Sequence, residues 1–496
     1  MKKILFNLIN LLKEKKEFTI AAIILVIVVV VVGSFLSVSK KEKNAESEYT
    51  VEDTKDTKSD SNSQSDSSES NSDSSDSDNT DSDSDMKNSG ENILKKGEIE
   101  GQSLMDYDQF RGVWFSYYDW IALQTDDEEE FRKKAKGVME QVKSMDLNTI
   151  FVHVHSHSDS YYPSAYFPMS KYATGSMGKS LSYDPLEIMI EEAHKRGIHF
   201  HAWLNPYRIT SDDGKTEDGA LSFQGVSWEE VPEDSIVKKW YNSSETSRNV
   251  LYHDGNYFLN PSKEKVRQYL CDTVKELVTT YDVDGVHFDD YFYPSIDDSN
   301  PDMSFDLTEY EASGSGLSVS EWRRQNVSDT VKMIYQTVKE ADEEVTFGIS
   351  PAGNLDNLRS DSMYFTDIDT WLSEEGYLDY VIPQIYWGFE QKNKDGSLSS
   401  SAYENCLNRW SALPRRDGVD MYIGLALYRC GLDISDNNSP SEWVSHSDII
   451  LRQVQSLENK ENVSGFCLFD YRDLSRQGAK TEVENLYNFI SQEETN

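Results

Sequence analysis

From about residue 105 onward, short apolar segments alternate with longer amphipathic ones, and the pair repeats eight times. The apolar segments predict strands at 112–117, 149–155, 199–205, 285–292, 346–350, 380–386, 422–428 and 465–469. The amphipathic segments predict helices at 128–145, 185–196, 263–281, 320–341, 368–375, 402–413, 442–457 and 482–490. Strands that alternate with helices build parallel sheets. Eight pairs in one unbroken series favour an α/β fold of the (β/α)8 TIM-barrel type, with long loops after its strands, over a doubly wound sheet.

The first hundred residues follow a different pattern. Residues 1–18 are basic and residues 19–38 carry no charge, and a helix over the uncharged run spans roughly 30 Å, the thickness of a bilayer core. Residues 39–100 are rich in Ser and Asp and hold too few apolar side chains to offset the entropy of ordering. We therefore expect a cytoplasmic basic segment, a single-pass signal-anchor helix, a disordered linker and an extracellular barrel domain at 105–492. A cleaved signal peptide is the alternative for the uncharged run, although the apolar part of such peptides is usually about 7–15 residues long.

Composition narrows the possible functions. The chain has 48 Lys and Arg against 88 Asp and Glu, a net charge of −40, and it shows none of the basic patterning that phosphate backbones require, so we expect no nucleic-acid partner. Its four cysteines are too few and too scattered for a disulfide scaffold or a zinc module. Aromatic residues make up 12% of the chain, enough for a large core and for surfaces that stack on sugars. The sequence implies no cofactor, and we expect a monomer.

Polar and aromatic residues gather where the predicted strands end. In a (β/α)8 barrel these ends form the active-site face. We expect substrate contacts from Trp114, His153, Asp159, Trp203, Asn205, Arg208, His287, Tyr291, Asn354, Gln384, Tyr386, Trp387, Tyr428 and Asp470. Each aromatic side chain in this set, taken alone, is more readily explained by packing than by function, but the convergence of eight strand ends favours a binding site.

The fourth strand carries the strongest catalytic signal, Asp289 followed directly by Asp290. Alternation along a strand places His287, Asp289 and Tyr291 on one face, so we expect Asp289 to face the barrel interior with His287 one layer beneath it. Neighbouring carboxylates in a confined site repel each other, which raises one pKa, and a raised pKa keeps the general acid of a glycosidase protonated. We predict that both aspartates are catalytic. The alternative for Asp290 is that it caps the next turn or pairs with an arginine such as Arg208.

Four segments carry a resemblance to a known family: Arg111-Gly-Val-Trp114, Asn205-Pro-Tyr-Arg208, Asp282-Val-Asp-Gly-Val-His-Phe-Asp-Asp-Tyr-Phe-Tyr-Pro294 and Pro383-Gln-Ile-Tyr-Trp-Gly388. They resemble the glycosyl hydrolase-like 10 family, and the resemblance covers about residues 105–490. It implies a bacterial, exported (β/α)8 protein that hydrolyses glycosidic bonds. Some members are linked to the glycan strands of peptidoglycan, so it also implies a cell-wall or related N-acetylated polysaccharide as substrate. One departure is His155-Ser156, where relatives tend to carry Arg-Pro, so a substrate contact made by that arginine does not carry over.

The paired aspartates can be compared with known glycosidase mechanisms. The fourth strand resembles the nucleophile motif of the amylase clan, but the acidic Glu that this clan needs after the fifth strand is missing from 350–354. A closer match is the Asp-Asp pair of some N-acetylglucosaminidases, in which the acetamide of the substrate attacks the anomeric carbon. By that analogy Asp289 orients the acetamide and Asp290 is the acid/base. Glu390, after the sixth strand, is the reserve acid for an ordinary two-carboxylate mechanism.

Two other classes of function stay open. The pattern His153-x-His155-x-His157, together with His199-x-His201, could hold a metal ion, because imidazoles at i and i+2 share one strand face. That arrangement would suit a metal-dependent deacetylase or hydrolase, although we prefer to interpret His153 as a hydrogen-bonding residue of the barrel interior and predict no metal. The third class is a non-catalytic, membrane-tethered barrel that binds glycans without cleaving them.

Overall fold

The computed structural model describes residues 109–212, 214–215, 222–289, 292–296, 305–433 and 442–493. The predicted basic segment, membrane helix and acidic linker lie outside these residues, and so do Asp290 and Tyr291. In the part of the chain that is described, no helix combines the length and the apolar composition needed to cross a membrane. The anchor and the linker therefore stay predictions.

Eight parallel strands close into a barrel, in which each strand pairs with the next one along the chain and the eighth pairs with the first. They are β1 (Phe110–Phe115), β2 (Thr149–His155), β3 (His199–Leu204), β4 (Gly285–Phe288), β5 (Thr346–Ile349), β6 (Tyr380–Val381), β7 (Asp420–Leu425) and β8 (Gly465–Leu468). Two short antiparallel ribbons lie outside the barrel, Gly214–Lys215 with Ser222–Phe223 and Val250–His253 with Asn256–Leu259. The predicted TIM barrel is confirmed.

Two strands end four or more residues earlier than the sequence predicts. β6 has only two residues, because Pro383 has no N–H to donate to a ladder; beyond it the chain keeps single bridges from Gln384 to Ala352 and Gly424. β4 ends at Phe288, so Asp289 lies just past the strand rather than within it. Both early ends place functional side chains on the loops at the barrel mouth.

One main helix follows each strand. They are α1 (Glu128–Ser144), α2 (Pro185–His194), α3 (Glu264–Thr280), α4 (Val319–Ala341), α5 (Ile368–Ser373), α6 (Tyr403–Ser411), α7 (Ile449–Leu457) and α8 (Lys480–Glu493). Short helical segments also occur at Asp119–Leu123, Lys171–Thr174, Ile236–Tyr241, Ser247–Asn249, Leu307–Ser313, Leu355–Leu358, Leu427–Arg429, Glu442–Ser445, Tyr471–Leu474 and Gln477–Ala479. The single helix predicted at 442–457 was wrong. Residues 446–448 separate two helices, and the carboxylate of Glu482 accepts the backbone N–H groups of Ile450 (2.6 Å) and Leu451 (3.2 Å) at the start of the second.

α1 shows how the outer helices attach to the barrel. Its N-cap, Asp127, accepts a hydrogen bond from the backbone of Glu130, which satisfies one of the N–H groups left unpaired at a helix start. Phe131, Ala135 and Val142 are buried on one face of the helix. This three- and four-residue spacing is the apolar stripe of an amphipathic helix, so the pattern that predicts the helix also determines which side packs on the strands.

The barrel interior is filled by side chains beneath its mouth. Gly285 on β4 faces the His201 ring, and Gly348 on β5 faces the Tyr380 ring; a Cβ at either glycine would collide with the ring. Small residues opposite large ones let a closed barrel pack without voids. The inner cluster comprises Trp114, Phe151, Trp203, Tyr380, Ile382 and Cys467. Because this layer closes the barrel from below, a ligand can reach the inner residues only from the carboxyl ends of the strands.

Candidate active site

Asp289 lies inside the barrel mouth, directly after β4. Its backbone N–H donates to the carbonyl of Leu204 at the end of β3 (3.3 Å). Its Oδ1 accepts a hydrogen bond from Nε2 of Gln384, which follows β6 (3.0 Å). Since β5 lies between β4 and β6 in the barrel order, a carboxylate that follows β4 and bonds to a side chain that follows β6 faces the interior.

The amide of Asn205 connects Asp289 to His153. The backbone N–H of Tyr117 donates to Nδ1 of His153 (3.1 Å), so a neutral His153 carries its proton on Nε2. That Nε2–H requires an acceptor, and the Asn205 oxygen lies 3.2 Å away when the amide is oriented to receive it. The amide nitrogen then donates to Oδ2 of Asp289 at 3.2 Å, and the amide oxygen also accepts from Arg208. Two amide side chains thus hold the two oxygens of Asp289.

His153 and Trp203 form a stacked pair beside this amide. Their rings lie 3.3 Å apart at 18°, and both residues are nearly fully buried. Burial lowers the pKa of His153 well below its usual range, and the nearby Arg208 lowers it further. The indole N–H of Trp203 is buried and has no hydrogen-bond partner among the residues that the structure describes. His153 is therefore a neutral hydrogen-bonding group, and Trp203 offers a donor in the layer just below the mouth.

His287 lies one layer beneath Asp289 and takes part in a buried hydrogen-bond chain. Nε1 of Trp114 can only donate, and it lies 3.3 Å from Nε2 of His287. The proton of a neutral His287 is therefore on Nδ1, which donates to the Tyr380 hydroxyl (3.2 Å); that hydroxyl in turn lies 3.0 Å from Nδ1 of His201. Burial, followed by the neighbouring His201, lowers the pKa of His287 well below its usual range. His287 acts as a neutral part of the barrel core.

Gln384 ties this inner chain to Asp289. Its Nε2 donates to Asp289 and also to the carbonyl oxygen of Ser350 (2.9 Å), while Oγ of Ser350 lies 3.0 Å from Nε2 of His287. Because both amide hydrogens are used, the orientation of the Gln384 side chain is fixed. The carboxylate of Asp289 is thus placed by residues of β4, β5 and β6 together.

Arg208 brings positive charge to the rim of the mouth. Its Nε donates to the carbonyl oxygen of Ser156 (3.0 Å), and its guanidinium lies over the Tyr117 ring, 5.3 Å from the centroid. The Tyr117 hydroxyl makes a short hydrogen bond to the hydroxyl of Tyr118. The arginine therefore lies on an aromatic surface beside Asn205, where it can meet an incoming polar ligand.

The predicted histidine cluster does not converge on one point. Nδ1 of His155 contacts the carbonyl of Asp159 (2.7 Å), Nε2 of His157 contacts Oγ of Ser211 (2.8 Å), and His153 bonds to Asn205. The buried carboxylate of Asp159 accepts the backbone N–H groups of Ser156 (2.8 Å) and His157 (2.7 Å) and so shapes this loop. Within the described ranges, no three His, Cys, Asp or Glu side chains are grouped as a metal site would require.

The loops after the fifth and sixth strands place other predicted residues around the mouth. Asn354 caps the short helix Leu355–Leu358, and its Nδ2 donates to Oγ of Ser401 (2.8 Å). Trp387 is half-buried, and its carbonyl accepts from Gln453 (3.0 Å). The Glu390 side chain is exposed. None of these contacts joins the three residues directly to Asp289.

An aromatic wall and a buried acidic group complete this end of the barrel. The half-buried Tyr386 lies 5.6 Å from the Phe469 ring and 6.0 Å from the Tyr428 ring. Asp470 is fully buried and pairs with Arg472 (3.1 Å). Burial and the nearby Asp119 raise the pKa of Asp470 well above its usual range. Because Asp470 is completely buried, we interpret it as a group that supports the end of β8 behind these aromatic rings.

Sequence reasoning did not single out three residues that the structure connects to the site. Tyr117 fixes the tautomer of His153 and carries Arg208 on its ring, Ser350 links Gln384 to His287, and Glu442 accepts the backbone N–H groups of Phe389 (3.0 Å) and Glu390 (2.9 Å). Tyr117 and Ser350 lie at predicted strand ends, so their positions gave a usable signal. Glu442 gave none, because its partners are 52 and 53 residues away.

A closed parallel barrel with an amide-held carboxylate after β4 and aromatic residues in its mouth defines the glycoside hydrolase-like class of (β/α)8 proteins. The chain belongs to the Glycosyl hydrolase-like 10 family, whose sequence profile matches residues 109–445. The resemblance inferred from the strand motifs is confirmed.

Similar proteins that have assigned names support the same family. The chain is 33% identical to "Glycosyl hydrolase YngK" of Bacillus subtilis over 388 residues, which cover 74% of this chain and 69% of that protein. It is 28% identical to "Glycosyl hydrolase DigH" of Escherichia coli (strain K12) over 402 residues, 76% of this chain and 86% of that protein. Among solved structures, the PgaB (BpsB) glycoside hydrolase domain from Bordetella bronchiseptica matches with a TM-score of 0.48 and 14% identity, covering 76% of this chain and 98% of that one.

Proposed function

We propose that this protein is a glycoside hydrolase that cleaves a bacterial cell-wall or related N-acetylated polysaccharide. The observation that carries the proposal is the position of Asp289, inside the barrel mouth and held on one oxygen by Gln384 and on the other by Asn205. Residues after the β-strands of such barrels perform the chemistry. The family relationship to proteins named glycosyl hydrolases supports the reaction class.

Asp289 is suited to orient a substrate group. Each of its oxygens accepts one amide N–H, which fixes the carboxylate and leaves its remaining lone pairs for a donor on the substrate. In an acetamide-assisted mechanism, Asp289 would accept the N–H of the substrate acetamide and direct its carbonyl oxygen to the anomeric carbon. The bond from that carbon to the leaving oxygen breaks as the new C–O bond forms, and water later opens the cyclic intermediate.

The leaving oxygen needs a proton, and Asp290 is our first candidate to supply it. Asp290 follows Asp289 in the chain and lies outside the described residues, so this role rests on the sequence pattern. Glu390 is the reserve acid, with an exposed carboxyl group on the loop after β6. Tyr386 and Trp387 are the proposed stacking contacts, because aromatic rings stack on the apolar faces of sugars. Trp203 is buried and stacked on His153, so the sequence-predicted platform role is reduced to its unpaired indole N–H.

The location and the substrate are proposed together. A signal-anchor helix at 19–38 and an extended acidic linker at 39–100 would hold a monomeric barrel outside the cell membrane, within reach of wall glycans. Because the chain carries a net charge of −40, strongly anionic polymers would be repelled. A neutral or N-acetylated backbone, such as peptidoglycan without its peptides, is therefore the preferred substrate.

Incubation of the purified full chain with peptidoglycan glycan strands stripped of peptides tests this function. We expect shortened glycans that mass spectrometry identifies as hydrolysis products, and no such products with Asp289→Asn. Asp420→Asn, an exposed aspartate at the opposite end of the barrel, is the matched control and should cleave normally. Intact glycans with the wild-type chain, or full activity in Asp289→Asn, would contradict the proposal.

A thiazoline analogue of the acetamide intermediate tests the mechanism separately. We expect tight competitive inhibition if the acetamide attacks the anomeric carbon, since intermediate and transition-state mimics bind far more tightly than substrates. Indifference to the thiazoline, combined with loss of activity in Glu390→Gln, would favour the ordinary two-carboxylate mechanism instead.

A further inference from the structure

A second aromatic surface lies on the long insertion between β3 and α3. It is built on the ribbon Val250–His253 and Asn256–Leu259. The Tyr252 side chain is 60% exposed, and its ring lies 5.1 Å from that of Tyr257 across the ribbon. The Tyr257 ring in turn stacks on Trp228 (4.1 Å, 19°). Tyr252 therefore extends a cluster of three aromatic rings to the protein surface.

Polar groups surround these rings. The ring surface borders a depression of about 610 Å³, whose lining includes Thr210, Asp212, Gln224 and Asn256. The Asn256 amide lies near Asp212 (3.4 Å) and Thr210 (3.2 Å). Aromatic rings beside planar amide and carboxylate groups match a sugar, whose ring has an apolar face and hydroxyl groups at its edge.

The ribbon is fixed to the loop that carries the active-site amide. Arg208 forms a backbone bridge to Phe258, and the backbone N–H of Ile209 donates to the carbonyl of Tyr257 (3.1 Å). Ile209 is four positions after Asn205, a path of at most roughly 14 Å, and each further strand lies about 5 Å away. Tyr252 is therefore within roughly 25 Å of the amide that holds Asp289.

The depression also shares residues with the wall of the barrel mouth. Ser211 lines the depression, and its hydroxyl bonds to Nε2 of His157 (2.8 Å). The His157 ring lies edge-on to Tyr117 (5.1 Å), the residue whose ring carries Arg208. The buried His157 thus joins the lining of the depression to the aromatic ring that carries Arg208 at the rim of the mouth.

We propose that the surface formed by Tyr252, Tyr257 and Asn256 is a second carbohydrate-binding site, which holds a distant part of the same glycan chain that enters the barrel mouth. This inference rests on the proposed function for the identity of the glycan. It makes the substrate a long chain rather than a disaccharide, because only a chain of several sugars reaches both sites. The stacking energy at the ribbon then contributes to binding and not to the bond-breaking step.

Binding is measured with the Asp289→Asn protein, so that no glycan is consumed. Affinity electrophoresis in gels containing peptide-free glycan strands, and titration with a series of purified chain lengths, compare Tyr252→Ala, Tyr252→Phe and the unsubstituted Tyr252. We expect Tyr252→Ala to weaken binding of long chains about three- to tenfold, with a loss that shrinks as the glycan shortens. Tyr252→Phe keeps the ring and should restore most of the affinity. Tyr487→Ala, a control on α8 whose side chain is 40% exposed, should bind like the parent.

The outcomes separate this inference from the proposed function. If the wild-type chain cleaves glycans but Tyr252→Ala binds long and short chains like the parent, the second site is wrong and the hydrolase proposal stands. If the wild-type chain cleaves nothing but long glycans bind in a Tyr252-dependent way, the second site stands and the hydrolase proposal fails. If the protein neither cleaves nor binds glycans of any length, both are wrong.

Discussion

β4 carries a buried aspartate at each end, and the two have opposite surroundings. Asp284, just before the strand, is 9% exposed, and Asp289, just after it, is 7% exposed. Asp284 accepts hydrogen bonds from Nε2 of His194 (2.9 Å) and from the backbone of Phe200 (2.7 Å). Asp289 is held by the amides of Gln384 and Asn205. Equal burial therefore does not separate Asp284 from Asp289, the proposed catalytic residue, whereas their hydrogen-bond partners do.

Buried aspartates at the two ends of the barrel also differ in the direction of their pKa shifts. Burial alone would raise the pKa of Asp284, but hydrogen bonds from His194 and His199 outweigh it and hold that pKa well below its usual range. At the mouth, burial raises the pKa of Asp119 to about 6, against the opposing effect of Arg472. The histidine partners thus favour the charged form of Asp284, whereas burial favours the neutral form of Asp119. This difference in pKa concerns these two carboxylates and is separate from the hydrogen bonds that hold Asp289.

The largest expected effect is on catalysis at the mouth. Asp289→Asn should lower kcat/KM for glycan hydrolysis by about 10²–10⁴-fold, the range typical of a lost positioned acid–base or orienting group. The free energy of unfolding should fall by about 1–3 kcal/mol, because Asn offers one acceptor oxygen to two amide N–H donors and leaves one of them unpaired. Steady-state kinetics on soluble glycans, together with urea unfolding, measure both quantities. A variant that keeps its activity would place the chemistry elsewhere.

The second effect is on stability at the other end of the same strand. Asp284→Asn removes the charge that His194 and His199 face, and breaking a buried pair of this kind should cost about 3 kcal/mol of unfolding free energy. The depressed pKa of Asp284 means that its stabilisation is present above about pH 4 and is lost as the pH falls further. The difference between wild type and variant in urea unfolding should therefore shrink in acid. A variant with normal stability but impaired kcat would reverse the assignment of the two aspartates.

The barrel and the inward position of Asp289 could be predicted from the sequence, but the hydrogen-bond partners at the site could not. The eightfold repeat predicted the barrel because each strand and helix has its own period, and alternation along β4 places Asp289 on the inner face. Pro383 could also have predicted the short β6, since proline breaks a ladder. The bond between Gln384 and Asp289 joins residues 95 positions apart, and no local pattern specifies it. Likewise, the tautomer of His153 depends on the backbone of Tyr117, 36 residues away.

A smaller effect is expected from pH at the mouth. Because the pKa of Asp119 is about 6 in the folded protein and roughly 3.9 in the unfolded chain, the folded state binds the extra proton between these values. Protonation of Asp119 therefore stabilises the fold fully below about pH 4. This stabilisation, roughly 1–3 kcal/mol of unfolding free energy, is lost as the pH rises through 6. Asp119→Asn should flatten this slope in urea unfolding measured from pH 4.5 to 7.5. An unchanged slope would show that another group, such as Asp470, holds the proton.

The smallest effect is expected for Asp420, a carboxylate that is exposed rather than buried. Asp420 begins β7 at the same end as Asp284 but is exposed, and its contacts with Tyr422 and Ser464 are both 3.4 Å long. Water screens such contacts, so Asp420→Asn should change the unfolding free energy by less than about 0.5 kcal/mol and leave glycan cleavage intact. Thermal and urea unfolding could instead show that Asp420→Asn loses as much stability as Asp284→Asn. In that case the stabilisation by Asp284 comes from its position at the amino-terminal end of the strands and not from its pairing with histidine.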